Sequence, residues 1–505
     1  NPKIVDKENN IRRSVMKETL WLFQRIVEED IRTIVFTKSR REAELLYKYI
    51  RDTDTGGKRR LDKRISTYRA GYLPAVRRDI EHRLASGELT GVVATNALEL
   101  GIDIGHLDVS ITAGYPGSIT SLFQQMGRAG RERDHSLAIF VASSNPLDQY
   151  VVQTPDFISS RRFGTPSINP ANEYVVRAHL RCAADELPLR EGVDREYFGP
   201  MYVPLVAGLA DEKKLKPRGP LMVSTETYPH RFVSLRTLSD KRYRVIDEAN
   251  GQVLEEADAY KVIEEFYPGA VFLHQGDSYL VTDNDHEQQV VHATPATQNY
   301  YTDAIIRSDV TIQEERCGET YGDVRLAFGK VLVSEQTVGF IKKSFHVETE
   351  IGLEYGETPE MSYDTMAFWV TVPDPVLERL KNGGYDIAGS LHAAEHLLIA
   401  LMPIVVLCDP RDLGGLSTIL HRDTMKPTIF VYDGHIGGVG LAETAYSHFR
   451  RVVQLSLDRV STCPCRDGCP SCVYSPKCGN NNKPLDKHGA QALLGELLEC
   501  LGRSG

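Results

Sequence analysis

Ser121-Leu122-Phe123-Gln124-Gln125-Met126-Gly127-Arg128-Ala129-Gly130-Arg131 pairs two glycines with two arginines. Gly127 and Gly130 let the backbone turn tightly against a neighbour, and Arg128 and Arg131, three residues apart, can share one face of a helix. An arginine offers a planar, permanently charged donor fork, which suits a triphosphate and the charge that develops on a transferring phosphoryl group. Taken alone, the stretch reads equally as a solvated basic helix end. Its neighbours decide between the two.

Upstream, apolar residues at helical spacing from Ser14 to Glu28 lead into Thr33-Ile34-Val35-Phe36-Thr37, a β-branched run that suits a strand buried on both faces. Lys38-Ser39-Arg40-Arg41 follows, and helical spacing resumes from Glu42 to Ile50. Ile65–Tyr68, Val92–Thr95, Val109–Thr112 and Leu137–Ala142 read as further strands, with a helix over Leu73–Leu84 and the arginine helix between the last two. Alternating strands and helices predict a parallel, doubly wound α/β sheet, with ligands at the loops that follow its strands.

The chain has 505 residues, enough for three or four domains, and a formal net charge of −10. That balance argues against a wholly basic nucleic-acid coat but leaves room for a local basic groove. The longest apolar run, His396–Leu407, is broken by Pro403 and reads as buried helix followed by buried strand rather than a membrane span. With no signal-peptide pattern after Asn1, a cytoplasmic protein cut from a longer chain is expected. Nine cysteines, five of them between Cys463 and Cys478, favour metal over disulfides in such a compartment.

Proline-rich connections from Asn145 to Pro170 mark the exit from the sheet domain. Helices over Ala171–Ala184 and Tyr202–Glu212, then a basic turn at Leu215–Pro220, fit a small winged helix or a plain spacer. From Phe232 to Ile312 short strands with Asn250-Gly251 and Gln275-Gly276-Asp277 turns predict a small β-barrel or antiparallel sheet. Arg231, Arg236, Lys241, Arg242 and Arg244 among its aromatics could form a strand-binding face or an ordinary solvated one. The expected organisation is therefore 1–164, the parallel-sheet domain; 165–231, a winged-helix-like connector; 232–312, the β-barrel-like region; and 313–505, a C-terminal α/β zinc-binding domain.

In that last region Asp364–Val372 and Thr428–Asp433 read as strands, Ile387–Leu401 and Leu441–Leu457 as helices. Asp433-Gly434-His435-Ile436-Gly437-Gly438-Val439-Gly440 follows a strand, but its glycines miss the GxGxxG spacing, so it reads as a tight strand-to-helix turn. His392-Ala393-Ala394-Glu395-His396 spells H-x-x-E-H, the pattern of a zinc hydrolase with two histidine ligands and a glutamate base, or else packed histidines. Cys469 and Cys472 have the C-x-x-C spacing of a tetrahedral site. Cys463, Cys465 and Cys478 compete for the other two positions, so four of these five are expected to hold a structural zinc ion.

The order Ile34–Arg40, Tyr68–Tyr72, Ala94–Asp103 and Gln124–Arg131 resembles the second RecA-like domain of superfamily 2 helicases. The resemblance implies that Thr37, Ser39, Arg69 and Thr95 hold nucleic-acid phosphates. It also implies that Gly101 and Asp103 face the nucleotide with Gln124, Arg128 and Arg131, the two arginines acting as fingers. Pro403–Gly415, Tyr432–Gly440 and Cys463–Gly479 extend the similarity to the mitomycin repair factor A type of DNA helicase. That family implies 3'-to-5' translocation on DNA from a single-stranded 3' tail, ATP-dependent unwinding, a zinc domain, a role in DNA repair and a monomeric state. No GxxxxGK[ST] loop and no DExH-like motif precedes Thr33. ATP and Mg are therefore expected to need a first RecA-like domain, leaving this chain to bind nucleic acid without ATP turnover. The alternative class is a non-catalytic, zinc-stabilised nucleic-acid-binding module.

Overall fold

The computed structural model describes residues 1–53, 61–100, 104–130, 135–159, 166–233, 241–345 and 349–502. The chain begins with a short hairpin, β1 (Ile4–Asp6) and β2 (Ile11–Arg12), and helix α1 (Val15–Glu28). Next come β3 (Thr33–Phe36), α2 (Arg40–Thr53), α3 (Leu61–Arg64), β4 (Ile65–Tyr68), α4 (Pro74–Ala85) and β5 (Gly91–Ala94). β6 (Val109–Ala113), α5 (Ile119–Met126), β7 (Leu137–Val141), α6 (Pro146–Gln153) and α7 (Pro155–Ser159) complete the domain. The strands form one parallel sheet in the order β4-β5-β3-β6-β7. β3, β5 and β6 are buried along their whole length, as their unbroken apolar runs predict.

α8 (Glu173–Glu186), α9 (Glu191–Phe198) and α10 (Tyr202–Asp211) then pack around Leu180, Leu205 and Leu209, and the hairpin β8 (Leu215–Arg218) and β9 (Leu221–Ser224) closes a winged-helix unit. Asn172 starts α8 by accepting from the Tyr174 and Val175 amides, while its own amide donates to the Ile436 and Gly438 carbonyls of the last domain. One side chain thus caps the unit and docks it.

The middle region is an open five-stranded sheet rather than a closed barrel. β10 (Arg242–Asp247), β11 (Gln252–Asp258), helix α11 (Ala259–Glu264), β12 (Val271–His274), β13 (Asp277–Asp285) and β14 (Val290–Pro295) follow in sequence, and the sheet runs β11-β10-β14-β13-β12. Tyr243 and Val245 point into its core while Arg242 and Arg244 are exposed. The boundary expected at 312 falls inside β15 (Tyr300–Tyr321), which pairs along its whole length with β16 (Val324–Ser344). The last domain's sheet therefore starts at Tyr300, because β15 stays paired with β16 through residue 312 despite a register irregularity there.

That sheet also holds β17 (Glu350–Tyr355), β18 (Met361–Thr371), β19 (Leu413–Thr418) and β20 (Thr428–Asp433), and all of its pairings are antiparallel. Helices α12 (Asp374–Asn382), α13 (Ile387–Leu401), α14 (Leu441–Ser447), α15 (Phe449–Thr462) and α16 (Lys487–Gly502) cover it, so the unit is α+β. The helix expected over Leu441–Leu457 is broken at His448. Residues 404–407, read as a buried strand, instead leave a 3-10 turn over Met402–Ile404, where Pro403 ends α13. α13 is apolar enough to suit a membrane, yet it forms the centre of this core, packed against Leu494, Leu497 and Val431.

The first domain and the middle sheet meet at a buried ionic cluster. Arg69, 2% exposed, donates through Nε to Glu44 on α2 at 2.8 Å and through a second nitrogen to Glu255 on β11. Its third nitrogen lies 3.3 Å from Nδ1 of His274. A guanidinium has no acceptor, so that imidazole nitrogen carries no proton and the ring is neutral. Burial lowers the pKa of His274, with Arg69 adding to the shift and Glu255, Glu44 and Asp277 opposing it. A folded-state pKa below the ordinary histidine value stabilises the protein above that value, and the stabilisation is lost as pH falls through the folded pKa. Thermal melting between pH 7.5 and 5.5 should therefore show a decline that is flatter in His274→Gln than in the parent; parallel curves would contradict this.

Candidate nucleic-acid interface and metal centre

Parallel register brings the sequence-predicted strand contacts together. Phe36 lies beside Ala94 on one side and Thr112 on the other, so Thr37, Thr95 and Ala113 emerge at one level at the carboxyl ends of β3, β5 and β6. A crevice in this position is where open α/β sheets take their ligands. Its walls include Thr37, Lys38, Asn96 and Gly114, faced by Asp409 and Arg411 of the last domain. Gly117, at φ +94°, permits that approach, since a Cβ there would sit 2.8 Å from the Cys408 carbonyl oxygen.

The Thr37 hydroxyl donates to the Ser39 carbonyl at 3.2 Å, and Ser39 accepts the Glu42 amide at 3.1 Å to start α2. Thr95 opens a 3-10 turn over Asn96–Leu98 without capping it through its side chain. Lys38 pairs with the fully buried Asp148 at 3.0 Å, and Asp148 also accepts the amides of Tyr115 and Ser143. The loop ends are therefore fixed, as backbone-positioning contacts require. Burial works against the ionised form of Asp409, but Arg411 bonds to both its carboxylate oxygens and holds its pKa low. Neither Asp409 nor Arg411 is flagged by local spacing; a Pro-flanked Asp-Pro-Arg-Asp turn after an apolar helix is the only signal.

The arginine helix packs against the loop that follows β5. Arg128 is buried, with Nε and a terminal nitrogen both directed at the Glu99 carbonyl, at 3.0 and 2.6 Å. The Glu99 carboxylate accepts from Ser121 and, at 3.0 Å, from Gln125. Motif helix and β5 loop are thus tied into one unit. Gln124 is half-buried on the same helix, whereas Gly101, Asp103 and Arg131 lie outside the described residues. Arg69, expected to hold a phosphate, is instead enclosed by Glu44 and Glu255. At 2% exposure, and paired with both carboxylates, Arg69 is closed to a passing strand in this arrangement. Glu44, a charged residue among the buried Ala43, Leu46 and Ile50, is the overlooked signal that an arginine must lie opposite.

The metal question resolves by geometry. Cys463, Cys465, Cys469 and Cys472 are buried and none is disulfide-bonded. Their Sγ atoms lie 3.6 Å apart for 463–465, 3.5 Å for 463–469 and 465–472, and 3.8 Å for 469–472. Four thiolates about 2.3 Å from one ion form a tetrahedron with edges of about 3.8 Å. These four cysteines thus fit a closed structural zinc site, and Cys478 is the spare. Asn10 donates to the Cys463 and Cys469 sulfurs at 3.6 and 3.7 Å, and Lys487 to the Cys463 carbonyl at 2.9 Å. Arg459 joins the Ser471 carbonyl to Gln153 on α6, so the knuckle also docks on the first domain.

The rival readings of this domain fare less well. Glu395 of the H-x-x-E-H helix is buried, which pushes its pKa up to about 7, and it bonds to Ser417 on β19 rather than joining the two histidines. A hydrolase would need that carboxylate at the metal. The glycine turn after β20 is a cap. Asp433 is fully buried and accepts the amides of Val439, Gly440, Leu441 and Ala442. Burial pushes its pKa up to about 6 against those four bonds.

A parallel α/β sheet, a winged helix and a four-cysteine site follow one another along this chain, an order that matches domains of helicases. Family models match in the same order. The helicase conserved C-terminal domain covers 15–133, the winged helix domain of ATP-dependent helicase HRQ1 covers 168–238, and the MrfA Zn-binding domain covers 394–473. The chain thus carries a helicase conserved C-terminal domain and a MrfA Zn-binding domain, and the relatives that share them are named ATP-dependent helicases. It is 35% identical over 94% of its length to the uncharacterized ATP-dependent helicase YprA of Bacillus subtilis, and 29% identical over 98% to ATP-dependent helicase HRQ1 of Saccharomyces cerevisiae. A crystal structure of the DUF1998 helicase MrfA bound to DNA superposes with a TM-score of 0.67 and 34% identity over 99% of this chain. The chain spans 63%, 47% and 66% of those three proteins respectively.

Proposed function

We propose that this chain is the strand-gripping part of an ATP-dependent DNA helicase, with Thr37, Ser39 and Thr95 holding backbone phosphates at the carboxyl ends of β3 and β5. The observation that carries this reading is that Thr37 and Thr95 emerge at one level at the ends of β3 and β5, beside a crevice lined by Thr37, Lys38 and Asn96 and faced by Asp409 and Arg411. Short hydroxyls and loop amides position a backbone without reading its sequence. Arg69 is left out of the set because it is 2% exposed and its three nitrogens face Glu44, Glu255 and His274. Translocation from a single-stranded 3' tail, a role in DNA repair, a monomeric state and a cytoplasmic location complete the proposal by resemblance to the family.

Within the same reading, Gln124, Arg128 and Arg131 form half of a nucleotide site with Gly101 and Asp103. Arg128 holds the Glu99 carbonyl through Nε and one terminal nitrogen, a contact that can rearrange when a catalytic geometry tightens around its substrate. The 505 residues contain no GxxxxGK[ST] phosphate loop, so the chain alone binds DNA and does not turn over ATP.

A titration of the 505-residue chain against 3'-tailed DNA, duplex DNA and RNA across salt concentrations tests this. Tailed DNA should bind most tightly, with log K falling linearly with log salt. Thr37→Ala with Thr95→Ala should weaken binding about tenfold, and DNA-stimulated ATP hydrolysis should not exceed that of Arg128→Ala with Arg131→Ala. Tighter binding to RNA, or turnover above that control, would sink the proposal.

A further inference from the structure

His392, His396 and Cys478 form a second cluster, separate from the four-cysteine site. One ligand-type atom from each lies within 4.8 Å of those of the other two, and His392 Nε2 is 3.3 Å from Cys478 Sγ. An imidazole nitrogen and a thiolate bound to one tetrahedral zinc, at about 2.0 and 2.3 Å, would be separated by about 3.5 Å. The spacing matches.

The surroundings fix the chemistry of these atoms. His392 Nδ1 faces the Pro484 carbonyl at 2.9 Å, and His396 Nδ1 faces the Val473 carbonyl at 2.7 Å. A carbonyl can only accept, so both Nδ1 atoms carry the proton and both Nε2 atoms keep a lone pair. That is the arrangement in which a backbone carbonyl orients a metal-binding histidine through its other nitrogen. Helical spacing of four residues sets the two rings 4.3 Å apart on one face of α13. Cys478 is held by a loop closed on itself. Asn482 accepts the Ser475 amide at 2.7 Å and donates to the Ser475 carbonyl at 3.0 Å, while its backbone amide donates to the Cys478 sulfur at 3.2 Å.

We propose that His392, His396 and Cys478 bind a second zinc ion, which clamps the 475–482 loop to α13. Among the described residues no further Cys, His, Asp or Glu joins the set, so one coordination position is left to water. The borderline N/S donor set selects zinc over the hard cations magnesium and calcium. Glu395 faces Ser417, so the bound water has no general base from this helix and the site is not a hydrolase.

Metal analysis of the 505-residue chain, purified with zinc and freed of loosely held metal by gel filtration, should return two zinc ions per chain. His392→Ala and Cys478→Ala should each return one, with the four-cysteine zinc retained. Because a variant could fail to fold, cobalt substitution of the unaltered chain provides a second readout. Two spectrally distinct cobalt ions, one all-sulfur and one with a single thiolate, should load in succession. One zinc per unaltered chain with a single all-sulfur cobalt spectrum would overturn the proposal. So would a second zinc that survives both substitutions.

Discussion

Arg69→Ala should destabilise this chain by about 3–5 kcal/mol, the usual cost of breaking a buried ion pair from one side. The substitution leaves Glu44 and Glu255 facing each other, both buried and both without their cation. It also removes the guanidinium 4.4 Å above the Tyr72 ring. The loss should appear in chemical denaturation as early separation of the middle sheet from the first domain. A triple variant, Arg69→Met with Glu44→Gln and Glu255→Gln, should recover most of the stability, because the cost lies in unpaired buried charge rather than in lost attraction.

The same variant separates a structural from a nucleic-acid role. Each phosphate contact to a single strand contributes about 0.7 to the slope of log K against log salt. If Arg69 is fully committed to its carboxylates, the triple variant binds DNA with the parental slope. A slope lower by about 0.7 in the folded triple variant would restore Arg69 to the strand-contact set.

How far the sequence carried this reading depends on the range of each interaction. The parallel sheet is legible because burial on both faces demands unbroken β-branched runs such as Thr33–Phe36, a purely local pattern. Thr37 and Thr95 are legible as a pair once parallel register is assumed, since each follows the last residue of its strand. Arg69 is harder to read: Glu44 signals that a cation lies opposite, but its second partner Glu255 lies 186 residues away. The extent of β15 is hidden for a related reason: its register is irregular near Ile306, Glu314 and Cys317, and only the pairing with β16 shows it to be one strand. Spacing nominated five cysteines, but the choice among them rests on which way the chain turns after Cys472.

Loss of the four-cysteine zinc should have the largest effect of any single change in the last domain. Structural zinc in small finger peptides contributes about 10–16 kcal/mol of apparent binding free energy, which is folding free energy where the apo form has no preformed site. Here the four sulfurs belong to the same core as Phe449, Val452, Leu493 and Leu497, so part of the domain would persist without metal. What would not persist is the knuckle from Cys463 to Cys472 and its three attachments: Asn10 on the amino-terminal segment, Lys487 at the start of α16 and Arg459 to Gln153. Cys469→Ala should therefore lose that zinc and expose the 463–472 segment to limited proteolysis, with α14 and β18 still protected. Asn10→Ala offers the graded case. It removes both side-chain donors to the sulfurs while leaving the ligands intact, and should weaken zinc affinity about 10–100-fold at unchanged stoichiometry, as loss of an outer-shell partner does elsewhere. Chelator competition would measure this, and an Asn10→Ala chain that holds its zinc as tightly as the parent would show that the amino-terminal segment rests on the knuckle without supporting it.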